Sequence, residues 1–285
     1  MGSLLFAETA RRAGVFALNQ FRITLALVLL TVILVATRTL APPATGPAWP
    51  PLPQAGVLLL AVSGFIGLTI GDMGYFGCLM RLEPRIATAL AALAPPITAL
   101  IAWVVLGETL SPIALFGMGL VLAGVLIVIM ERGGTPVPRG HRIQGALLGL
   151  LGAACQAVGL ILSKKGMKFG IDPLPANVIR MAAATVGIWG IAAATRQLGA
   201  PTRVLNDRVA RLCALGATLL GPTFGVWLSL VAAQRTEAGI AATLMSTVPV
   251  LILPLVIFVN HEKVSPRAVL GAVLTVVGVA LIFVR

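Results

Sequence analysis

Long apolar runs separated by short polar linkers make up most of this chain. A run of about 18 or more apolar residues predicts a membrane-spanning helix. The predicted complete spans are 16–37, 54–80, 85–106, 112–130, 144–163, 174–195, 210–233, 237–260 and 265–284. The linkers hold most of the loop proline, glycine and charge, and none of them fits a soluble domain. The pattern therefore predicts an all-α polytopic membrane protein.

Composition and charge agree with this prediction. The chain is 58% hydrophobic and 11% charged, and its net charge is +12. In a soluble chain that charge would indicate nucleic acid. Here the basic residues lie mostly in short linkers beside span ends, which favours topogenic charge facing anionic lipid. We therefore expect a lipid bilayer and no nucleic acid among the partners.

Cysteine and histidine give no sign of a metal site or cofactor. Cys78, Cys155 and Cys213 lie in or beside apolar runs without CxxC spacing. His141 and His261 are far apart in the sequence. This distribution predicts neither a disulfide framework nor a metal site, and we expect no cofactor.

A polar hexapeptide occurs twice, each time between two apolar runs, as GETLSP at 107–112 and HEKVSP at 261–266. Aligning the two copies pairs polar residues that hydrophobicity does not require. These pairs are Thr69 with Thr223, Arg81 with Arg235, Glu83 with Glu237, Glu108 with Glu262 and Ser111 with Ser265. A slightly different offset pairs Asn19 and Arg22 with Asn177 and Arg180. We interpret the chain as two repeats, residues 1–131 and 143–285.

The repeats are predicted to have opposite orientations in the membrane. The chain crosses an odd number of times between the span at 85–106 and its counterpart at 237–260. Inverted repeats are typical of secondary transporters, whose halves close around a site at the bilayer midplane. The first repeat lacks most of a partner for the span at 144–163. We therefore expect a ten-helix fold with nine complete spans and a stub of helix one near GSLLFAE, through a misplaced start codon or a fragment.

The repeated segments resemble a known transporter family. The segment GDMGYFGCLMRLEPRIATALAALAPPITALIAWVVLGETLSP, followed by FGMGLVLAGVLIVI, resembles the EamA domain of the drug/metabolite transporter superfamily. The segment AAQRTEAGIAATLMSTVPVLILPLVIFVNHEKVSP resembles the same domain. The resemblance implies two inverted five-helix repeats that move small metabolites, often by exporting amino acids or other solutes, with ion coupling or exchange. The chain departs from the family at helix one, at His261 and at Val226, whose repeat partner is Asp72.

Asp72 is the most unusual polar residue in a predicted span. A carboxylate at this depth costs at least about 2.5–3.5 kcal/mol by insertion scales, so it should face a partner or water. Its repeat partner is Val226, so the fold itself does not require a carboxylate there. This asymmetry favours a role in substrate or proton handling. A structural hydrogen bond or a protonated, snorkelling side chain are the alternatives.

Other pathway candidates are scarce polar, aromatic or proline residues on the spans. Pro95 and Pro249 fall near the middle of their spans, where proline breaks a helix or merely kinks it. The remaining candidates are Tyr75, Thr69, Gln156, Thr223, Trp227 and Ser229. Such a cavity is typically apolar with a few placed polar groups.

Several other features have a structural interpretation. GLTIG at 67–71 and GPTFG at 221–225 have GxxxG spacing, which favours close helix packing and is compatible with lining a cavity. Arg22 and Arg180 are interpreted as anchors near span ends. Glu108 and Glu262 are interpreted as loop residues, with coupling or gating as the alternative. Ser-Pro after each of them opens a helix.

The predicted function is secondary transport of a small metabolite, such as amino-acid export, by alternating access. The expected location is an integral position in a bacterial inner membrane. Proton or ion coupling and a homodimer are left open. A non-transporting membrane protein or an inactive truncated remnant is the alternative. An enzyme acting on lipid is disfavoured, because no Ser/His/Asp set, HExxH motif or carboxylate cluster lies on the spans.

Overall fold

The computed structural model describes residues 9–10, 12–40, 51–82, 84–130, 139–245, 247 and 266–283, and every regular element among them is helical. The long helices are α1 (Val15–Leu40), α2 (Gln54–Arg81), α5 (Pro112–Met130), α6 (Arg139–Met167), α7 (Pro173–Ala194), α9 (Arg208–Arg235) and α11 (Pro266–Phe283). The shorter helices are α3 (Pro84–Ala91), α4 (Ala94–Leu106), α8 (Thr202–Asn206) and α10 (Ala238–Met245).

Five of these helices are long and apolar enough to cross a membrane, namely α1, α2, α6, α7 and α9. Large apolar side chains lie exposed on them, as at Val186, which is 74% exposed. Apolar exposure of this kind is unusual for a soluble monomer and suits contact with lipid tails. The prediction of an all-α polytopic membrane protein is confirmed.

The predicted span at 85–106 is two helices rather than one. Helix α3 ends at Ala91, and α4 begins at Ala94 with Pro95 in its first turn. Proline is favoured in a first turn because its missing N–H has no intrahelical partner there. The break therefore falls where Pro95 removes a backbone donor. Its counterpart Pro249 lies outside the described residues, as does most of the predicted span 237–260.

The chain divides into two compact units, each of which takes segments from both repeats. Unit 1 comprises Met1–Met73 and Val158–Gln234, and unit 2 comprises Gly74–Ala157 and Arg235–Arg285. Helices α2, α6 and α9 each contribute to both units. The predicted repeat boundaries at 131 and 143 stay a prediction.

In unit 1, the repeat-related helices α1 and α7 pack against each other, and α7 also packs against α2. Their shared apolar cluster is formed by Ile23, Ala26, Leu30, Leu68, Leu174, Met181 and Ala184. Val226 and Trp227 of α9 pack against this cluster. Gly64 permits the approach of α2 to α7, because a Cβ there would lie 2.2 Å from the carbonyl oxygen of Arg180.

In unit 2, α5 packs along α11, and the contact is reciprocal. A Cβ on Gly124 would lie 2.4 Å from the carbonyl oxygen of Gly271, and one on Gly278 would lie 2.6 Å from that of Gly117. Gly117 aligns with Gly271 in the repeat, and Gly124 aligns with Gly278. Each helix therefore contacts the other through the same two aligned positions, as the two subunits of an isologous interface do.

Candidate functional site

Two helices of unit 1 contain a π-helical segment at matching positions of the repeat. The segments are Phe65–Gly71 in α2 and Leu219–Gly225 in α9. They contain the GLTIG and GPTFG motifs. A Cβ on Gly159 of α6 would lie 3.1 Å from the Cα of Gly67, so the first motif does allow close helix approach. π-Helical turns inside α-helices often occur at functional sites.

A buried ion pair follows the first π-helical segment. Nη2 of Arg22 on α1 donates to Oδ2 of Asp72 on α2. Nε of Arg22 donates to Oδ1 of Asn19, one turn earlier, at 2.9 Å. All three residues are buried, whereas the charged end of an interfacial anchor lies at the surface. Asp72 therefore has the partner that its depth in the membrane requires.

The equivalent residues of the second repeat have the same burial but lack these partners. Arg180 on α7 is 4% exposed, and Asn177 is fully buried. Nε of Arg180 and Oδ1 of Asn177, whose counterparts in the first repeat bond to each other, have no hydrogen-bond partner among the described residues. Nδ2 of Asn177 donates to the carbonyl oxygen of Pro222 at 3.4 Å. Both arginines differ from the anchors that the sequence predicted.

The threonines of the two π-helical segments show the same difference. The hydroxyl of Thr69 donates to the carbonyl oxygen of Ala184 at 3.2 Å. The hydroxyl of Thr223 is fully buried and has no partner within the described ranges. Within the described residues, the Arg22 and Thr69 side chains of the first repeat have partners, whereas Nε of Arg180 and the hydroxyl of Thr223 in the second repeat do not.

Two further predicted residues lie on α9 in unit 1. Trp227 packs against the apolar cluster that contains Met181, and its ring centroid lies 6.3 Å from that of Phe224. The hydroxyl of Ser229 donates to the carbonyl oxygen of Val226 in its own helix at 2.7 Å. That bond is local to α9, and a pathway role for Ser229 stays a prediction.

The other predicted residues lie in unit 2. Tyr75 packs against a cluster of Cys78, Leu82 and Ala87. Pro95 is buried at the start of α4, and Gln156 is half-buried on α6. Pro249 lies outside the described residues. A pathway role for these residues stays a prediction.

Gln20 is a buried residue that the sequence analysis missed. Neither its Oε1 nor its Nε2 has a hydrogen-bond partner in the described part of the chain. It borders an open groove of about 230 Å³ with Phe21, Thr24, Leu25, Val28, Trp189 and Pro201. The groove is smaller than a typical metabolite pocket, which occupies about 300–1,000 Å³. In the segment LNQFR at 18–22, nothing in the sequence separates a buried amide at Gln20 from a surface one.

The GETLSP loop has structural contacts throughout. Gly107 ends α4 with a left-handed φ of 67°, and Oγ of Ser111 accepts from the N–H of Ala114 at the start of α5. Oε2 of Glu108 accepts from the N–H of Ala238 at the start of α10, at 2.7 Å. These bonds fit the loop interpretation of Glu108. Glu262 and Ser265 lie outside the described residues.

The comparisons with known proteins agree with this architecture. The chain matches the EamA-like transporter family over residues 2–130 and 143–284. It therefore belongs to that family, which confirms the resemblance, and it is an integral membrane protein with two inverted repeats. A solved structure titled only "Crystal structure of protein" has a TM-score of 0.74 and 19% identity, and the match covers 98% of this chain and 93% of that one. At that identity the likeness shows the fold alone. No curated protein matches the chain.

Proposed function

We propose that the protein is a secondary transporter that moves a small metabolite across a bacterial inner membrane by alternating access between its repeats. The observation that carries the proposal is the buried ion pair of Arg22 with Asp72 within two membrane-spanning helices. Ionisable residues at membrane depth are costly, and they mark substrate and ion pathways. Family membership supports the same function.

The site supports transport better than catalysis. The buried polar groups of unit 1 are amides, hydroxyls and guanidinium groups, together with the paired carboxylate of Asp72. Such groups bind a polar solute and exchange it for water. In a transporter, an ion pair that can form and separate is also a natural two-state element. Export of an amino acid or a related solute is the substrate class that the family suggests.

Solute counterflow in proteoliposomes tests the proposal. The purified chain is reconstituted into proteoliposomes, which are preloaded with a pool of unlabelled amino acids, organic acids or sugars. Uptake of labelled solutes of the same pool is then measured. We expect at least one pool to drive uptake and Arg22→Gln or Asp72→Asn to abolish it. Val186→Ala on the lipid-facing surface of α7 is the control and should retain uptake. Insertion and folding are checked for each variant.

The alternative is a non-transporting remnant of such a protein. A well-folded wild-type chain that drives no counterflow with any pool would support the remnant and overturn the transporter. Equal uptake by wild-type protein and by both ion-pair variants would support transport but show that it does not require the ion pair.

A further inference from the structure

Arg180 is a buried cation with no counter-charge among the described residues. It lies on α7, a helix long and apolar enough to cross a membrane, and it is 4% exposed. Across the described ranges, its side chain has neither an ion pair nor a hydrogen bond. An uncompensated charge at membrane depth is costly and is therefore expected to serve a function.

The first repeat shows that the fold can supply the missing carboxylate. Arg22 aligns with Arg180 and is paired with Asp72, whereas the residue that aligns with Asp72 is Val226. Val226 packs against the apolar cluster that contains Met181, the neighbour of Arg180. The second repeat thus keeps the arginine and its surroundings but has an apolar residue in place of the anion.

Further unsatisfied polar atoms lie close by in the chain. Asn177 is one helical turn before Arg180, so the two side chains share a face of α7. Asn177 bonds to the carbonyl of Pro222, which places Thr223 of α9 beside this face. In the part of the chain that the structure describes, Oδ1 of Asn177 accepts no hydrogen bond and the hydroxyl of Thr223 makes none. The set offers a cationic donor, an acceptor and a hydroxyl.

We infer that Arg180, Asn177 and Thr223 bind an anionic group of the transported solute, a carboxylate or phosphate that carries a neighbouring hydrogen-bond donor. This inference rests on the proposed transport function. A guanidinium presents a planar fork of donors that matches the oxygens of either group. Oδ1 of Asn177 then accepts from an adjacent hydroxyl or ammonium of the solute. A 2-hydroxy or 2-amino acid satisfies all three residues.

Ligand binding to the purified full-length chain tests the chemistry directly. Thermal shift in detergent compares 2-hydroxy and 2-amino carboxylates with their primary amides and with sugar phosphates. We expect the anions to stabilise the protein and the matched amides to bind about tenfold more weakly or worse, because a charge-assisted hydrogen bond is lost. Stabilisation by the phosphates alone assigns the site to phosphate. Equal binding of acids and amides overturns the inference.

Variants at Val226 and Arg180 test the geometry. Val226→Asp supplies the carboxylate that the first repeat has. It should form an ion pair with Arg180 and so weaken anion binding about tenfold or more. Val226→Asn is matched in size but neutral, and its effect should be far smaller. Arg180→Gln should also abolish the preference for acids over amides. If Val226→Asp binds acids as wild type does, the site is wrong.

A folding readout keeps the test valid if a variant is unstable. Val226→Asp should be tolerated when Arg180 is present and should lower the melting temperature when combined with Arg180→Gln. Equal effects in both backgrounds would show that the two positions do not meet. If neutral solutes show counterflow and Arg180→Gln does not change it, the transport function is supported but the anion site is rejected. Arg180-dependent anion binding without counterflow of any solute would keep the site but reject transport.

Discussion

Glu108 accepts a hydrogen bond from the backbone N–H of Ala238, and this bond joins a loop of one repeat to a helix of the other. The first N–H groups of a helix have no intrahelical acceptor, so a side chain that reaches them stabilises the helix start. Here the acceptor comes from 130 residues away. The GETLSP loop therefore has a structural role within unit 2.

Removing the acceptor of Glu108 should weaken unit 2 without changing the chemistry of transport. Glu108→Ala should lower stability by roughly 1 kcal/mol, as loss of a helix cap does. Glu108→Gln retains an acceptor and should be milder. Thermal unfolding in detergent measures the first effect, and the pH profile of counterflow measures the second. A shifted pH profile in Glu108→Gln would instead assign the residue to coupling.

Breaking the ion pair should cost more than removing it entirely. Asp72→Asn leaves Arg22 buried without its counter-charge, and the loss is expected at roughly 3–5 kcal/mol. The double variant Arg22→Gln with Asp72→Asn should recover part of that stability. Melting temperatures of the wild type, both single variants and the double variant form the cycle. Additive losses would show that the two residues do not stabilise each other.

Asp207 should make the start of α9 sensitive to acid. The hydrogen bond from the N–H of Ala210 is the main cause that lowers the pKa of Asp207, and Arg12 and the N–H of Val209 act in the same direction. A lowered pKa means that the carboxylate stabilises the fold above its unfolded pKa and that this stabilisation is lost as the pH falls through the folded pKa. We therefore expect the loss below about pH 4, the ordinary Asp value.

The Asp207 variants separate capping from titration. Asp207→Asn is also a favoured helix cap but does not titrate, so it should flatten this acid-side loss while keeping stability at neutral pH. Asp207→Ala should lose stability at neutral pH as well. Melting temperature is measured for the three proteins from about pH 6 to about pH 3. Parallel curves for wild type and Asp207→Asn would contradict the assignment.

The crossing of α5 and α11 should tolerate no side chain at Gly124. A Cβ there would meet the backbone of Gly271, and backbone cannot rotate away. Gly124→Ala should destabilise by about 1–3 kcal/mol, the usual cost of overpacking. Gly119 on the same helix has no atom within 4 Å of its Cβ position, so Gly119→Ala is the matched control. Thermal unfolding of the two variants should separate them clearly, and equal melting temperatures would refute the close crossing.

Periodicity and repetition predicted the helical architecture, because it depends on local residue types, and Pro95 marked where the span at 85–106 would break or kink. The partner of Asp72 was harder to predict. Arg22 is 50 residues away, and near a span end an arginine can equally face lipid headgroups. The alignment of Arg22 with Arg180 was visible in the sequence, but their burial depends on how α1 and α7 pack. Orphaned atoms such as those of Gln20 have no sequence signal, since they reflect what surrounds them.

The reciprocal glycine contact also bears on the origin of the chain. Gly124 lies against the carbonyl of Gly271, and Gly278 lies against that of Gly117. Each helix therefore has both a glycine that permits close approach and a carbonyl that packs against the glycine of the other helix. A single ancestral half with this helix would therefore have possessed everything needed to pair with a second copy of itself. Duplication and fusion then need no new surface at this contact. Once fused, the two halves were free to diverge elsewhere, as they did at Asp72 and Val226.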